Sequence, residues 1–203
     1  MVIPVVEKQI TNGNIHEIIK AQMMQALVHP NIPTILGVQI EEKPFSIIME
    51  YLGEANTSFT VHSLLQKPNS LEKKDWVKIS YNVADALNHV HKKGFLHCDL
   101  KTNNVVVYKK EGFLIDFGKA CYITSPQAKK YKFSYPHIAP EVLKGSACSK
   151  QSDIYSLGTV LKEIGFSQNI LCITEMGCKC LNDSPKQRPT LMGVLASLVS
   201  QKE

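Results

Sequence analysis

The fold of this chain is decided by one polar stretch, His97, Cys98, Asp99, Leu100, Lys101, Thr102, Asn103, Asn104. A second short signal, Asp116-Phe117-Gly118, follows it. Between the two lie the apolar runs 105–108 and 113–115, joined by the polar turn 109–112, and this pattern predicts a β-hairpin. Such a hairpin places the end of the first stretch beside Asp116 at its open end. Two aspartates, a lysine and an asparagine are therefore expected to converge on one spot.

The chemistry of these side chains suits Mg²⁺ and phosphate. The oxygens of Asn104 and Asp116 are hard ligands for a hard cation. Lys101 is a point charge for phosphoryl oxygens. Their spacing predicts a site for a phosphorylated ligand together with a metal ion.

The two signals resemble the catalytic sequences of the protein kinase family. That family has an HRD sequence, a Lys two positions after the Asp, an Asn five positions after it, and then DFG. Here the corresponding residues are Asp99, Lys101 and Asn104, followed by Asp116. Cys98 replaces the family's Arg, which usually binds a phosphorylated activation loop. The resemblance therefore implies that activation-loop phosphorylation does not control this chain.

The resemblance also implies an α+β fold, namely a protein kinase-like two-lobe fold with a reduced N-terminal β lobe and a mainly helical C-terminal lobe. We expect a single kinase domain in which residues 1–52 form an incomplete N-lobe and hinge and residues 53–203 form the C-lobe. A chain of 203 residues with 44% hydrophobic content is long enough for this.

Residues 2–10 read as a strand. They look like the family's third strand, in which Lys8 would pair with the α- and β-phosphates. The family has two strands and a glycine-rich loop ahead of that lysine, but only seven residues precede Lys8 here, and the first glycine is Gly13. We expect either an N-lobe whose Lys8 strand is an exposed sheet edge, or a piece or spliced form of a longer kinase.

Apolar residues at spacings of three and four predict a helix over 14–28, with Asn14 as N-cap and Glu17 in a capping box. In the family, a Glu of this helix pairs with the strand lysine. Lys20 occupies that position, so the usual ion pair cannot form; Glu17 could substitute for the missing Glu, although capping is its simpler role.

Two strands are predicted over 35–40 and 45–49. The residues that follow resemble the hinge between kinase lobes, where the backbones of Glu50 and Leu52 would bind adenine. With Lys8 and Val106, these residues form the expected nucleotide site.

A helix is predicted over 72–93, leading into the catalytic loop. In the family, the His of that loop packs under the Phe of DFG, so His97 is expected beneath Phe117 and is not a general base. Ser134 falls where Ser/Thr kinases place a Thr that contacts the catalytic Asp and Lys, here Asp99 and Lys101.

The sequence Ala139-Pro140-Glu141 resembles the family's APE. By the same resemblance, Asp153 would brace the catalytic loop and Arg188 would pair with Glu141. The 47 residues from Glu141 to Arg188 are fewer than is usual, which predicts the loss of most of one helix and its loops after Gly165. A last helix is predicted over 191–199.

The function implied by the resemblance is transfer of the γ-phosphate of ATP to Ser or Thr of protein substrates. The resemblance assigns three roles: Asp99 and Lys101 are catalytic, Lys8, Glu50, Leu52 and Val106 bind the nucleotide, and Asn104 and Asp116 hold Mg²⁺. The alternative is a pseudokinase or truncated kinase that acts as a binding or scaffolding module with weak or no catalysis. The absent glycine loop, Lys20 and the shortened C-terminal part favour the alternative, whereas the complete set Asp99, Lys101, Asn104 and Asp116 favours the enzyme.

The composition of the chain argues against several other functional classes. The net charge of +5 comes from scattered lysines and arginines, which does not indicate nucleic-acid binding. No run approaches the roughly 18 apolar residues of a membrane span. The expected location is cytoplasmic, with a nuclear location also compatible, and the six cysteines would then remain thiols. The expected partner is a protein substrate or binding protein, and the oligomeric state is not indicated.

Overall fold

The computed structural model describes residues 4–10, 25–54, 57–67 and 71–200. The strands in these residues are β1 (Val5–Ile10), β2 (Ile35–Gln39), β3 (Phe45–Glu50), β4 (Phe59–Thr60), β5 (Phe95–Leu96), β6 (Val105–Tyr108), β7 (Glu111–Leu114) and β8 (Cys121–Tyr122). The α-helices are α1 (Val61–Leu65), α2 (Lys73–Lys92), α3 (Pro140–Leu143), α4 (Lys150–Ser167), α5 (Leu171–Cys180) and α6 (Leu191–Val199). None of the helices within these ranges is long and apolar enough to cross a membrane.

A small antiparallel sheet forms the N-terminal part, with the strand order β1-β3-β2. In the register of β1 with β3, Lys8 lies opposite Ile47. Ile10 and Ile47 form the buried centre of this sheet. Within the described residues β1 is an edge strand, as the sequence predicted, and its alternating burial leaves Lys8 on the less exposed face.

A hairpin of β6 and β7 connects the two polar signals of the sequence. Val105 lies opposite Leu114 and Tyr108 opposite Glu111. The turn therefore contains only Lys109 and Lys110, which both have positive φ, as two-residue hairpin turns with matched twist require. The predicted turn over 109–112 was too long, because residues 111 and 112 belong to β7.

The C-terminal part is built from helices that share one large core. Helix α2 contributes a continuous buried stripe, and α4 is buried along most of its length. Helices α4 and α5 approach closely because Gly177 has no side chain: a Cβ there would lie 2.6 Å from the backbone nitrogen of Lys162. The long helix and the last helix agree with the predicted ranges to within one residue.

The predicted fold class is confirmed: a small sheet forms the N-terminal part, helices form most of the C-terminal part, and the whole is α+β. The division into residues 1–52 and 53–203 stays a prediction. The helix predicted over 14–28, with Glu17 and Lys20, lies mostly outside the described residues. Its predicted end was wrong, because residues 25–28 are not helical.

Candidate active site

A cleft of about 520 Å³ separates the small sheet from the β6–β7 hairpin. All four residues predicted to bind a nucleotide line it: Lys8, Glu50, Leu52 and Val106. The predicted metal ligands Asn104 and Asp116 also line this cleft. Apolar side chains such as Ile47 and Met49 form much of its wall. An apolar cavity of this size with a few polar groups at one end is typical of a small-molecule site.

Asp99 lies in the loop between β5 and β6 and is almost fully buried, with 4% of its surface exposed. Its Oδ2 accepts a hydrogen bond from Lys101 Nζ at 3.2 Å and a longer one from Asn104 Nδ2 at 3.4 Å. Asn104 Nδ2 also donates to the backbone oxygen of Asp99 at 2.8 Å. The structure therefore brings together the three loop residues that the sequence singled out.

The other carboxylate oxygen of Asp99 contacts two residues that sequence reasoning missed. Lys119 Nζ donates to Oδ1 at 2.7 Å, and His137 Nε2 lies 3.1 Å from the same atom. Lys119 directly follows the DFG sequence, whereas His137 is 38 residues from Asp99. Only the position of Lys119 beside that motif could have drawn attention to it.

Ser134 does not take the position predicted for it. It is exposed, and no hydrogen bond joins it to Asp99 or Lys101 in the described part of the chain. His137, three residues later, contacts Asp99 instead. The backbone at this point is held by Ser156, whose Oγ donates to the carbonyl oxygen of His137 at 2.6 Å.

The electrostatic environment of Asp99 keeps it ionised. Burial by itself raises the pKa of this carboxyl, but the hydrogen bonds from His137 and Lys119 and the charges of Lys119 and Lys101 outweigh burial. Together they hold the pKa well below its usual range. Asp99 is therefore a carboxylate at neutral pH, able to accept a hydrogen bond but only weakly basic.

Asp116 sits at the end of the hairpin in a left-handed conformation, with φ of 60°. Its Oδ1 caps the short 3₁₀ turn Phe117–Lys119 by accepting from the backbone N–H of Gly118 at 3.3 Å. The same oxygen lies 2.8 Å from Lys8 Nζ. Burial raises the pKa of Asp116, but the hydrogen bond and charge of Lys8 outweigh it and lower the pKa overall. The carboxylate is thus also ionised at neutral pH.

The donor set at this end of the cleft fits a hard divalent cation. Asp116 supplies carboxylate oxygens, and Asn104 supplies an amide oxygen because its nitrogen is already engaged with the backbone of Asp99. The residue before Asp116 is tied to Asn104 by the hydrogen bond from Ile115 N–H to the Asn104 carbonyl oxygen at 3.0 Å. Oxygen ligands without nitrogen or sulfur are what Mg²⁺ prefers.

His97 is a structural residue beneath this site. Its ring lies 4.8 Å from that of Phe117, as predicted. The backbone N–H of Asp99 donates to Nδ1 at 3.3 Å, so Nε2 carries the proton and donates to the carbonyl oxygen of Ile115 at 3.1 Å. Burial lowers the pKa of His97. A buried neutral imidazole with both nitrogens engaged is not available as a general base.

Asp153 holds the backbone of the loop that carries Asp99. Its carboxylate accepts from the backbone N–H of His97 at 2.8 Å and that of Cys98 at 2.9 Å, and it contacts His91 Nε2 at 2.9 Å. Cys98 has φ of 63°, a conformation that costs an L-residue on the order of 1–2 kcal/mol. The hydrogen bonds to Asp153 hold this backbone, so the bracing role predicted for Asp153 has its contacts in the structure.

An ion pair between a buried arginine and a half-buried glutamate fixes the segment that carries His137. Arg188 NH1 and NH2 donate to the two carboxylate oxygens of Glu141 at 2.7 and 2.8 Å. The guanidinium also donates to three backbone carbonyl oxygens, those of Gln151, Asn182 and Asp183. This is the predicted pairing of Glu141 with Arg188. The bidentate geometry ties the start of α3 to the turn that precedes α6.

Comparison with known proteins shows which family this sequence resembles over most of its length. The sequence pattern of the protein kinase domain matches residues 4–178. The chain is 27% identical over 161 residues to the serine/threonine/tyrosine-protein kinase HT1 of Arabidopsis thaliana, which covers 77% of the chain and 41% of the relative. It is 30% identical over 151 residues to the mouse dual specificity testis-specific protein kinase 2, covering 70% of the chain and 26% of the relative.

A third relative is the serine/threonine-protein kinase Nek8 of Danio rerio, 34% identical over 150 residues, which covers 71% of the chain and 21% of the relative. The chain therefore spans about two fifths or less of the length of these relatives. Their names include both serine/threonine and dual specificity kinases.

Proposed function

This chain belongs to the protein kinase family, and we propose that it transfers the γ-phosphate of ATP to serine or threonine hydroxyls of a protein. The observation that carries the proposal is the convergence of polar and charged groups beside one end of an apolar cleft, where Asn104 of the cleft lining contacts Asp99. Asp99, Lys101 and Asn104 come from one loop, Asp116 from the end of the hairpin, and Lys8 from the small sheet. Phosphoryl transfer depends on positioning and electrostatics of this kind rather than on a covalent intermediate.

In the proposed reaction, the substrate hydroxyl oxygen bonds to the γ-phosphorus while the bond to the β–γ bridging oxygen breaks, and ADP leaves. The hydroxyl proton passes to the carboxylate of Asp99. Because the pKa of Asp99 lies below its usual range, this carboxylate orients the hydroxyl and takes its proton late in the transfer. Lys101 Nζ lies 3.2 Å from Asp99 Oδ2 and would balance negative charge on the phosphoryl group during its transfer.

The nucleotide would occupy the cleft with its base against the apolar wall. Glu50, Leu52 and Val106 all line this cleft, and the backbones of Glu50 and Leu52 would bind the base. Lys8 would bind the phosphates that are not transferred. Asn104 and Asp116 would hold Mg²⁺, which when bound neutralises charge on the phosphate oxygens.

A second candidate function is a pseudokinase that binds a partner or a nucleotide but transfers little phosphate. The observation that favours it is the crowding of Asp99. A carboxylate has about four acceptor positions, and Lys101, Asn104, Lys119 and His137 all lie within hydrogen-bond distance of its two oxygens. A substrate hydroxyl could reach Asp99 only by replacing one of these donors.

Phosphate transfer with purified protein separates the two candidates. The full chain is incubated with Mg²⁺ and ATP labelled in the γ position, with casein as acceptor, beside the variants Asp99→Asn and Asp85→Asn. Transfer that Asp99→Asn abolishes and Asp85→Asn retains would support the enzyme, and analysis of the labelled amino acid would distinguish serine and threonine from tyrosine. Equal label in all three proteins would overturn the kinase proposal.

If no phosphate transfer is observed, thermal unfolding with and without Mg·ATP shows whether the chain binds the nucleotide. Stabilisation by Mg·ATP without transfer would favour the pseudokinase. No stabilisation and no transfer would argue against nucleotide binding by this chain.

A further inference from the structure

Three of the six cysteines lie in one small cluster beside the catalytic loop. Cys98 precedes Asp99, Cys121 begins β8, and Cys148 precedes α4. The Sγ atoms of Cys98 and Cys121 are 3.6 Å apart, although the two residues are 23 positions apart in the chain. None of these three cysteines is in a disulfide. Neighbours in this cluster, including Leu96 and Ile138, are apolar.

Backbone contacts on both sides hold the two sulfur atoms in this position. Strands β5 and β8 pair antiparallel, with Leu96 opposite Cys121. Cys98 follows two residues later, and its N–H donates to the buried Asp153 carboxylate. The strand pairing and the hydrogen bond to Asp153 therefore fix the backbone positions from which the two sulfur atoms come into contact. An S–S bond of about 2.05 Å requires the sulfurs to approach by roughly 1.5 Å.

We propose that Cys98 and Cys121 form a dithiol site that hydrogen peroxide oxidises to an intramolecular disulfide. The sulfur of Cys121 attacks one peroxide oxygen, the O–O bond breaks, and Cys121 becomes a sulfenic acid while one water is released. The sulfur of Cys98 then attacks the sulfenic sulfur, the S–O bond breaks, and a second water leaves. Two electrons pass from the two sulfurs to the peroxide, and the two thiol protons end in the two waters.

The order of the two steps follows from exposure and protonation. Cys121 is partly exposed, whereas only 4% of the surface of Cys98 is exposed, so a dissolved peroxide reaches Cys121 first. Hydrogen bonds with Cys121 and Cys148, together with burial, raise the pKa of the Cys98 thiol. A protonated buried thiol is a poor first nucleophile but is well placed to resolve a sulfenic acid on its neighbour.

A disulfide here would join the residue before Asp99 to the segment that follows Lys119. Both Asp99 and Lys119 belong to the hydrogen-bonded group described above. Cys98 has a left-handed backbone conformation that is held by its hydrogen bond to Asp153. Because Asp99 is the next residue, a displacement of Cys98 on disulfide formation would also displace Asp99. The site is nevertheless defined by its sulfur chemistry and does not depend on whether the chain transfers phosphate.

Peptide mapping tests the site without an activity assay. The reduced full chain is titrated with hydrogen peroxide, quenched with catalase, alkylated, and digested with trypsin under non-reducing conditions. Cleavage after Lys93, Lys101, Lys119 and Lys129 would release Cys98 in peptide 94–101 and Cys121 in peptide 120–129. The expected product is these two peptides joined, and dithiothreitol should separate them.

Two variants and one mixing experiment make the result decisive. Cys121→Ser should reduce the joined product to the background of the unoxidised sample, whereas Cys178→Ser, which removes an exposed cysteine outside the cluster, should leave it unchanged. A mixture of isotopically light and heavy protein should give no light–heavy product. The proposal is overturned if Cys98 stays fully alkylated while Cys178 is oxidised, if the Cys98 peptide is joined to peptide 145–150 with Cys148, or if the link forms between chains.

Discussion

Lys8 Nζ and Asp116 Oδ1 lie 2.8 Å apart and join the edge strand of the small sheet to the end of the β6–β7 hairpin. The two residues are 108 positions apart, and both side chains are partly exposed at the cleft, at 38% and 41%. In the proposed complex, Lys8 would bind phosphate and Asp116 would bind the metal ion. The direct pair is therefore a contact that nucleotide binding replaces rather than one that blocks the cleft.

Removal of either partner should abolish stabilisation by Mg·ATP. We expect Mg·ATP to raise the melting temperature of the wild-type chain and to leave Lys8→Met and Asp116→Asn almost unchanged, because each variant lacks one of the groups that contact the phosphates or the metal. Without nucleotide, both variants should unfold within about 1 kcal/mol of wild type, since an exposed ion pair contributes little. Differential scanning fluorimetry with a nucleotide titration measures both effects.

Lys186→Met provides the matched control, since Lys186 is an exposed lysine that does not line the cleft. It should respond to Mg·ATP like the wild type. If Lys8→Met also responds fully, Lys8 is not a nucleotide ligand.

His137 should affect the protonation of Asp99. The hydrogen bond from His137 is among the contacts that hold the pKa of Asp99 low, so its removal in His137→Phe should move that pKa upward. If the chain is a kinase, the acid limb of the kcat/KM profile should shift to higher pH. The measurement is the pH dependence of phosphate transfer, from about pH 8 down to the lowest pH at which each protein is folded.

The control variant for this pH profile is His62→Phe, because His62 is exposed on α1. Its acid limb should coincide with that of the wild type. An unshifted limb in His137→Phe, at unchanged stability, would show that the contact with Asp99 has no effect on proton transfer.

The main features of the site were predictable because they depend on short spacings. The step from Asp99 to Asn104 and the hairpin between Asn104 and Asp116 are local, so strand alternation and turn residues were enough to bring these groups together. The pairing of Glu141 with Arg188 came from the family resemblance, since no local rule joins residues 47 positions apart.

The remaining contacts of Asp99 depend on tertiary packing that no periodicity reveals. Ser134 was the predicted neighbour, but the path of the backbone before α3 presents His137 instead. Lys119 reaches Asp99 because the 3₁₀ turn after Asp116 points its side chain back towards the catalytic loop. The contact between Cys98 and Cys121 was missed for the same reason: the residues meet through the pairing of β5 with β8, two strands of only two residues each.

The ion pair of Glu141 and Arg188 should make stability depend on acid pH. Burial raises the pKa of Glu141, but the hydrogen bonds and charge of Arg188 outweigh it, so the folded pKa lies below the unfolded value of about 4.3. The stabilisation is thus complete above the unfolded pKa and is lost as the pH falls through the folded pKa. Glu141→Gln should cost about 3 kcal/mol at neutral pH, and the gap from wild type should narrow below about pH 4.

Urea unfolding at a series of pH values from about 7 to about 3 measures this gap. Glu175→Gln is the control, because Glu175 is exposed on α5 and has no ion pair in the described residues. A gap between wild type and Glu141→Gln that stays constant with pH would contradict the assignment of this ion pair.

Asp153 should be the most sensitive carboxylate in the chain. It is fully buried and accepts from two backbone N–H groups of the catalytic loop, and burial is outweighed by its contacts with His91 and His97, so its pKa lies below the usual value. Asp153→Asn replaces one acceptor oxygen by a donor that faces a backbone N–H, so we expect a loss of about 3–5 kcal/mol in the free energy of unfolding. Asp85→Asn, in which a partly exposed carboxylate 3.3 Å from His29 is changed, should cost less than about 1 kcal/mol. Urea denaturation of both variants at pH 7 measures the difference; a loss of similar size in the two would mean that the left-handed backbone at Cys98 does not depend on Asp153.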